Sequence, residues 1–355
     1  MKIAPLMAAS RPGSGIEPIL VHTGQHYDER MSDLFFRQLE IPRPDINLGV
    51  GSGSHAVQTA DIMRAFEPVV LDRRPAAVLV VGDVNSTVAC GLVAVKLGIP
   101  LVHVEAGLRS FDRTMPEEIN RLVTDAISDL LFCSEPSGVE NLRREGVPDD
   151  RVFLVGNVMI DALMRSRQKA EASPILRDLG LEPKQYAVLT LHRPANVDDP
   201  KVLAGVLRAL EVIQRDVQIV FPVHPRTRSR LASPEFEPLI RAMPALRLIE
   251  PVGYLEFMKL MSCAAAVLTD SGGIQEETTI LRVPCLTLRE NTERPITVEM
   301  GSNRIVGTDP DRIVAAWREA VATPPSALPA PPLWDGHAAE RIVSILAARY
   351  RGKGA

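Results

Sequence analysis

Ten short apolar runs separated by helical stretches predict an α/β protein built from two doubly wound domains with parallel sheets. Three observations carry this reading. The runs are continuous rather than alternating, as strands covered on both faces require. The segments between them, such as Ser86–Leu97 and Glu117–Ser128, carry helical periodicity. The chain of 355 residues also exceeds what one hydrophobic core ordinarily organises.

In chain order the runs are Ile19–His22, Ala77–Val81, Leu101–Val104, Leu130–Cys133, Val152–Val155, Ala187–Leu191, Val217–Phe221, Leu246–Ile249, Ala265–Leu268 and Pro284–Leu288. A seam falls near Asp161–Lys184, where Arg165, Arg167, Lys169 and Glu171 lead to Pro174 and Pro183. It separates an N-terminal Rossmann-like domain, residues 1–165, from a second one, residues 166–330. Five prolines within Pro324–Pro332 mark an extended linker. Beyond it, Gly336–Tyr350 reads as an amphipathic helix with Ile342, Val343, Ile345 and Leu346 on one side, so residues 331–355 are expected to pack back on the first domain. A cleft between the two domains, faced by the carboxyl ends of the strands, follows as an expectation.

Composition narrows the function. The net charge of −4 gives no basic footprint for nucleic acid. The apolar runs are far shorter than the roughly 20 residues that a membrane-spanning helix needs, and Met1–Leu6 lacks a signal-peptide pattern. Cys90, Cys133, Cys263 and Cys285 lie far apart with no Cys-x-x-Cys, the pattern of buried reduced thiols in the cytoplasm. The histidines at 22, 26, 55, 103, 192, 224 and 337 show no ligand spacing, so no metal site is expected. No Gly-x-Ser-x-Gly is present and no Gly-x-Gly-x-x-Gly follows a strand, which points away from nicotinamide chemistry.

The most informative stretch is Ala264–Glu277. An apolar run ends in Thr269-Asp270-Ser271-Gly272-Gly273, and Ile274-Gln275-Glu276-Glu277 opens a helix. Free backbone N–H groups and the positive end of a helix then meet in one place, where glycines let an anion approach. Glu277, one turn in, suits a ribose diol, and the segment reads as a nucleotide diphosphate seat. The plainer reading is a capped turn with no ligand.

Polar residues collect where five of the runs end: Gly82-Asp83, Glu105 with Arg109, His192-Arg193, His224 and Asp270-Ser271. In an open α/β fold such positions line one crevice. Each has a plainer reading. Asp83 can cap the helix beginning near Ser86, and Glu105 can pair with Arg109. Glu117 and Glu118, after Pro116, can complement a helix dipole. His224 can be a loop histidine, while His103 and Tyr254 read as core. Together the phosphate seat, the cationic strand end and the carboxylates point to acid–base chemistry on a nucleotide-linked substrate.

Gly82-Asp83, His103–Arg109, Pro116–Arg121, Gly156-Asn157, Asp161–Leu163, His192-Arg193, Pro222–His224, Thr269–Glu277 and Thr292–Pro295 occur in that order. In this the chain resembles the non-hydrolysing UDP-N-acetylglucosamine 2-epimerases, from Lys2 to the final helix. The resemblance implies a GT-B-like pair of Rossmann-like domains, usually in a homodimer, and no cofactor. It implies interconversion of UDP-N-acetylglucosamine and UDP-N-acetylmannosamine by elimination of UDP, through 2-acetamidoglucal. Asp83, Glu105 and Glu117 match the family's acid–base residues, and His192 the histidine beside the diphosphate. Ser271, Gly272, Gly273 and Glu277 match phosphate and ribose contacts, and Phe257 a uracil contact. Lys2, Arg109, His224 and Arg294 join the expected substrate contacts. Gln25 and His26 match a pair that binds a second substrate molecule in some members.

The chain departs from the pattern at three points. The family's first strand and arginine-bearing loop precede the segment matched by Lys2–Leu6, so Met1 is expected to be an internal methionine. A chain truly starting there is expected to fold poorly, with that strand missing from the first sheet. Ala195 stands where relatives often carry Glu, and Asp28 where the allosteric site has Gln. Rival readings are a GT-B glycosyltransferase, a hydrolysing epimerase, an inactive nucleotide-sugar-binding protein, and an epimerase for a related UDP-diacetamido sugar.

Overall fold

The computed structural model describes residues 1–24, 36–323 and 329–350. The chain divides into two compact domains, one of Met1–Arg165 with Pro332–Ala355 and the other of Ser166–Pro331.

In the first domain α1 (Ile3–Ala9) precedes β1 (Val21–His22), β2 (Ile46–Asn47), α2 (His55–Arg73), β3 (Val78–Val81), α3 (Asn85–Lys96) and β4 (Leu101–Val104). Then come α4 (Pro116–Ile127), β5 (Leu130–Cys133), α5 (Pro136–Arg144), β6 (Val152–Leu154) and α6 (Val158–Glu171), which carries the chain out of the domain. β3, β4, β5 and β6 form a parallel sheet in that order, while β1 and β2 pair with each other in a separate parallel ladder. Among the described residues β3 is therefore an edge of the four-stranded sheet.

Local chemistry sets the helix starts. Ser54 caps α2 by accepting from the Val57 N–H. α4 and α5 begin on prolines, whose fixed φ suits the first turn and whose missing N–H costs nothing there. α4 buries charge rather than hydrocarbon: Glu118, Arg121 and Asp125, spaced by three and four, face inward with Thr124.

The second domain runs β7 (Tyr186–Thr190), α7 (Pro200–Ile213), β8 (Gln218–Pro222), β9 (Leu246–Ile249), α8 (Tyr254–Cys263), β10 (Ala266–Thr269), α9 (Gly272–Leu281), β11 (Cys285–Thr287), β12 (Asn303–Ile305) and α10 (Pro310–Ala322), with short helices between. Its sheet is parallel in the order β9-β8-β7-β10-β11-β12. The strand order reverses between β7 and β10, the place where open α/β sheets bind ligands. On one face, Leu203, Val206 and Leu210 of α7 and Ile313 and Trp317 of α10 join the core. On the other, Leu260 and Met261 of α8 and Ile274 of α9 pack against Tyr186, Val188 and Val267.

The chain ends in α11 (Ala338–Tyr350). Ala338, Ala339, Ile342 and Leu346 pack with Val102, Val104, Leu130 and Phe132 of the first domain. Burying each large aliphatic there stabilises by about 1.5–3 kcal/mol. Asp161 accepts from the Ala338 and Ala339 N–H groups at 3.2 and 2.7 Å, and Trp334 Nε1 donates to the Ser134 carbonyl at 2.9 Å.

Each apolar run read from the sequence contains or overlaps a strand. β2 and β12 were not anticipated, because two or three residues such as Ile46-Asn47 and Asn303-Arg304-Ile305 offer no apolar run. Among the described residues no helix is long and apolar enough to cross a membrane.

Candidate active site

In the first domain the candidate residues gather at the carboxyl ends of β3 and β4. Val81 lies opposite Val104 in the ladder, so Gly82-Asp83 and Glu105 leave the sheet side by side. Gly82 takes φ 77° and Glu105 φ 75°. A non-glycine residue in that region costs about 1–2 kcal/mol, so the Glu105 backbone holds strain at the strand end. The Glu105 N–H donates to the Phe132 carbonyl at 2.9 Å, which fixes the turn. Its carboxylate is buried and paired with Lys2 Nζ, which stands just before α1. A Cβ on Gly82 would lie 3.1 Å from that amine and 3.3 Å from Glu105 Oε2, so glycine leaves room for the pair.

Asp83 is held from α4. Arg121 Nη1 donates to Asp83 Oδ2 at 2.6 Å, and Asn120 Nδ2 donates to the Asp83 carbonyl at 2.9 Å. The same Arg121 reaches Glu118 Oε2 at 2.6 Å. Glu118 also accepts from the Ser110 and Phe111 N–H groups, both at 3.0 Å. Burial would raise the Glu118 pKa, but these N–H groups and Arg121 outweigh it and hold the carboxyl below its usual range. Glu117 stands half-buried in the first turn of the same helix.

Beneath these residues lies His103, fully buried, between Asp125 Oδ1 at 2.6 Å and the Gly82 carbonyl at 2.9 Å. Arg109, expected among the substrate contacts, turns inward instead. Its guanidinium donates to Asp125 Oδ2 at 2.7 Å, to both Glu145 oxygens at 2.8 and 2.7 Å, and to the Leu108 carbonyl at 2.8 Å. With its side chain 1% exposed it braces the loop after β4, because a buried cation must be paired where it lies. The alternative pairing of Arg109 with Glu105 is replaced by Lys2–Glu105.

In the second domain the site sits at the switch between β7 and β10. Asp270, fully buried, accepts from the His192 N–H at 3.0 Å and the Arg193 N–H at 2.9 Å, and lies 2.7 Å from His192 Nδ1. Burial would raise the Asp270 pKa, but the His192 ring and these N–H groups keep it below the ordinary carboxylate value. Asp270 thus orients an imidazole that is half exposed.

Ser271 begins α9, and its hydroxyl makes no capping bond to the helix. Gly272, at the first helical position, faces Glu293 so closely that a Cβ would lie 2.6 Å from Oε1. Glu293 Oε2 in turn pairs with Arg289 at 2.9 Å, and the neighbouring arginines override burial to lower its pKa. Gly273 is half-buried beside Gly272.

Glu277 is buried, and Tyr254 donates to its Oε1 at 2.8 Å. Burial pushes its pKa up to about 7, assisted by Glu276 and opposed by the Tyr254 hydrogen bond. Arg294 is buried too, with Nε 2.5 Å from Glu276 Oε1. Phe257 is half-buried against the core beside Leu260 and Met261. His224, expected at the substrate, caps the short helix Pro225–Leu231: its Nδ1 accepts from the Arg226 N–H at 3.3 Å. Gln25 and His26 lie outside the described residues. Among the described residues no group of three or more His, Cys, Asp or Glu side chains is arranged to hold a metal ion.

Arg121, Asp125, Tyr254 and Glu293 were not singled out from the sequence as site residues, whereas Asp270 stands among the polar strand ends expected to line the crevice. The spacing of Glu118, Arg121 and Asp125 was a readable signal of an inward charged stripe.

The comparisons with known proteins agree along nearly the whole chain. A family model described as UDP-N-acetylglucosamine 2-epimerase matches residues 9–347. The UDP-N-acetylglucosamine 2-epimerase of Methanocaldococcus jannaschii is 42% identical over 361 aligned positions, covering 98% of this chain and 95% of that protein. A UDP-2,3-diacetamido-2,3-dideoxy-D-glucuronate 2-epimerase of Pseudomonas aeruginosa is 43% identical over 310 positions, covering 86% and 84%. The crystal structure of the M. jannaschii enzyme in complex with UDP-GlcNAc and UDP matches at a TM-score of 0.90, covering 98% of this chain and 96% of that one. The chain belongs to the UDP-N-acetylglucosamine 2-epimerase family.

Proposed function

We propose that this protein interconverts UDP-N-acetylglucosamine and UDP-N-acetylmannosamine by elimination and re-addition of UDP. The observation that supports this most directly is the emergence of Asp83 and Glu105 side by side from adjacent strand ends, each fixed by its own cation.

The chemistry asks for what these residues offer. A base removes the proton at sugar C2, the C1–O bond breaks with its electron pair leaving on UDP, and a C1–C2 double bond forms. A proton then returns to C2 from the opposite face while a UDP oxygen re-attacks C1. Inversion therefore needs proton-transfer groups on two faces of the ring, and Asp83, Glu105 and Glu117 are the set assigned to that work. Arg121 holds Asp83, and Lys2 holds Glu105, at fixed positions. The diphosphate is assigned to the N-terminus of α9 at Ser271, Gly272 and Gly273, with His192 oriented toward it by Asp270. Glu277 is assigned to the ribose, Phe257 to the uracil and Arg294 to bracing the nucleotide seat. We read the working protein as a cytoplasmic homodimer; its four cysteines, none in a disulfide, suit that compartment.

Incubation with UDP-N-acetylglucosamine alone tests the proposal. Appearance of UDP-N-acetylmannosamine with total nucleotide sugar conserved is the expected result. Stoichiometric free UDP with free N-acetylmannosamine would point to hydrolysis, and turnover only with a sugar acceptor would point to a glycosyltransferase. The P. aeruginosa relative gives a second substrate reading, a UDP-diacetamido uronic acid. The ratio of kcat/KM for the two nucleotide sugars decides between them.

A further inference from the structure

We propose that His103 is a positioning residue for this reaction: a permanently charged imidazolium that anchors the Gly82-Asp83 turn and sets a buried positive charge near Glu105. The proposal rests on the reading of Asp83 and Glu105 as the proton-transfer pair.

Two hydrogen bonds set the charge of its ring. Nε2 lies 2.9 Å from the Gly82 carbonyl, which has no proton to give, so Nε2 donates. Nδ1 lies 2.6 Å from Asp125 Oδ1. Asp125 Oδ2 already accepts from the Gly107 N–H at 3.0 Å and from Arg109 at 2.7 Å. Those donors keep Asp125 ionised, so Nδ1 donates as well. A neutral ring would set a lone pair against one acceptor at a fully buried site, where the mismatch has no water to relieve it. Burial alone would strip the ring's proton, but Asp125, the Gly82 carbonyl and Glu105 together hold the pKa above its ordinary value.

The charge is well placed. His103 sits on β4 two residues before Glu105, and its Nε2 bond ends on the residue before Asp83. The charged groups that act on it are Asp125 from α4, which also pairs with Arg109, and Glu105 after its own strand, which pairs with Lys2. Arg109 is matched by Asp125 and Glu145, and Arg121 is shared by Asp83 and Glu118. His103 therefore adds a buried cation that is bonded to the residue before Asp83 and stands two residues before Glu105.

Two measurements test this. In the full-length protein labelled with 15N-histidine, the His103 ring is expected to show two protonated nitrogens from pH 6 to 9. One unprotonated ring nitrogen at pH 7 would overturn the proposal. This spectrum needs no turnover, so it stands or falls separately from the epimerase reading. In His103→Gln, kcat is expected to fall about 10- to 100-fold with UDP affinity unchanged. The acid limb of the kcat/KM profile is expected to move up by about one pH unit, as the loss of an adjacent positive charge requires. A variant that loses activity with its acid limb unmoved would show packing alone and reject the charge role.

Discussion

Arg121 lies 2.6 Å from Asp83 and 2.6 Å from Glu118, so one buried guanidinium joins a strand end to the helix beside it. Through Glu118, which accepts from the Ser110 and Phe111 N–H groups, it also fixes the loop after β4. Asp83 is thereby placed by a network rather than by its own backbone alone. Arg121→Ala is expected to destabilise the protein by about 3–5 kcal/mol, because it leaves Glu118 buried without its cation. Arg121→Met with Glu118→Gln should recover much of that stability without recovering activity. Thermal unfolding and kcat, measured on the same samples, check the split.

Gly272 leaves no space for a larger residue. Gly272→Ala puts a methyl group 2.6 Å from Glu293 Oε1 and displaces the start of α9 or the Glu293–Arg289 pair. UDP affinity is expected to fall about tenfold or more, the worth of one charge-assisted hydrogen bond. Calorimetry with UDP measures it directly, and unchanged affinity would remove the α9 N-terminus from the nucleotide seat.

Glu277 links stability to pH. Its pKa rises on folding from 4.5 to about 7, so the folded state holds a proton that the unfolded state releases. The stabilisation is present in full below pH 4.5 and is lost as pH rises through 7. It amounts to at most about 3.4 kcal/mol at 1.36 kcal/mol per pH unit. Glu277→Gln, still bonded to Tyr254, is expected to flatten this stretch of the stability profile. Urea midpoints from pH 4.5 to 8 test it, and an equal slope in both proteins would contradict it.

The C-terminal helix depends on a cap from the first domain. Asp161 accepts from the Ala338 and Ala339 N–H groups, two of the four that a helix start leaves unpaired. Asp161→Ala is expected to cost about 1–2 kcal/mol and to expose α11 to protease before the rest of the first domain. Limited proteolysis with mass spectrometry reports the order of cleavage.

The alternation of apolar runs and helices was legible because parallel strands covered on both faces carry continuous Val, Leu and Ile. Val78–Val81, made only of Val and Leu, shows this plainly. Strand ends could likewise be read as collection points for polar residues. What those residues do there was less visible. Arg109 and Glu105 both stand at the end of β4, yet burial sends Arg109 to Asp125 and Glu145 while Lys2, 103 residues away in sequence, takes Glu105. Tyr254 read as core, and it is buried, but its hydroxyl is spent on Glu277. Such pairings are set by how the elements pack, which local spacing does not encode. β2 and β12 were missed for a simpler reason, since their few residues owe their conformation to a neighbouring strand.

Asp83, Glu105 and Glu117 are proposed to move a proton at C2 of a UDP-linked sugar. A proton NMR time course of the full-length protein with UDP-N-acetylglucosamine in deuterated water tests it most directly. The expected result is loss of the C2–H signal in step with formation of the manno epimer, abolished in Asp83→Asn and Glu105→Gln although both still bind UDP. Epimer formation with C2–H retained, or full exchange in the two variants, would contradict it.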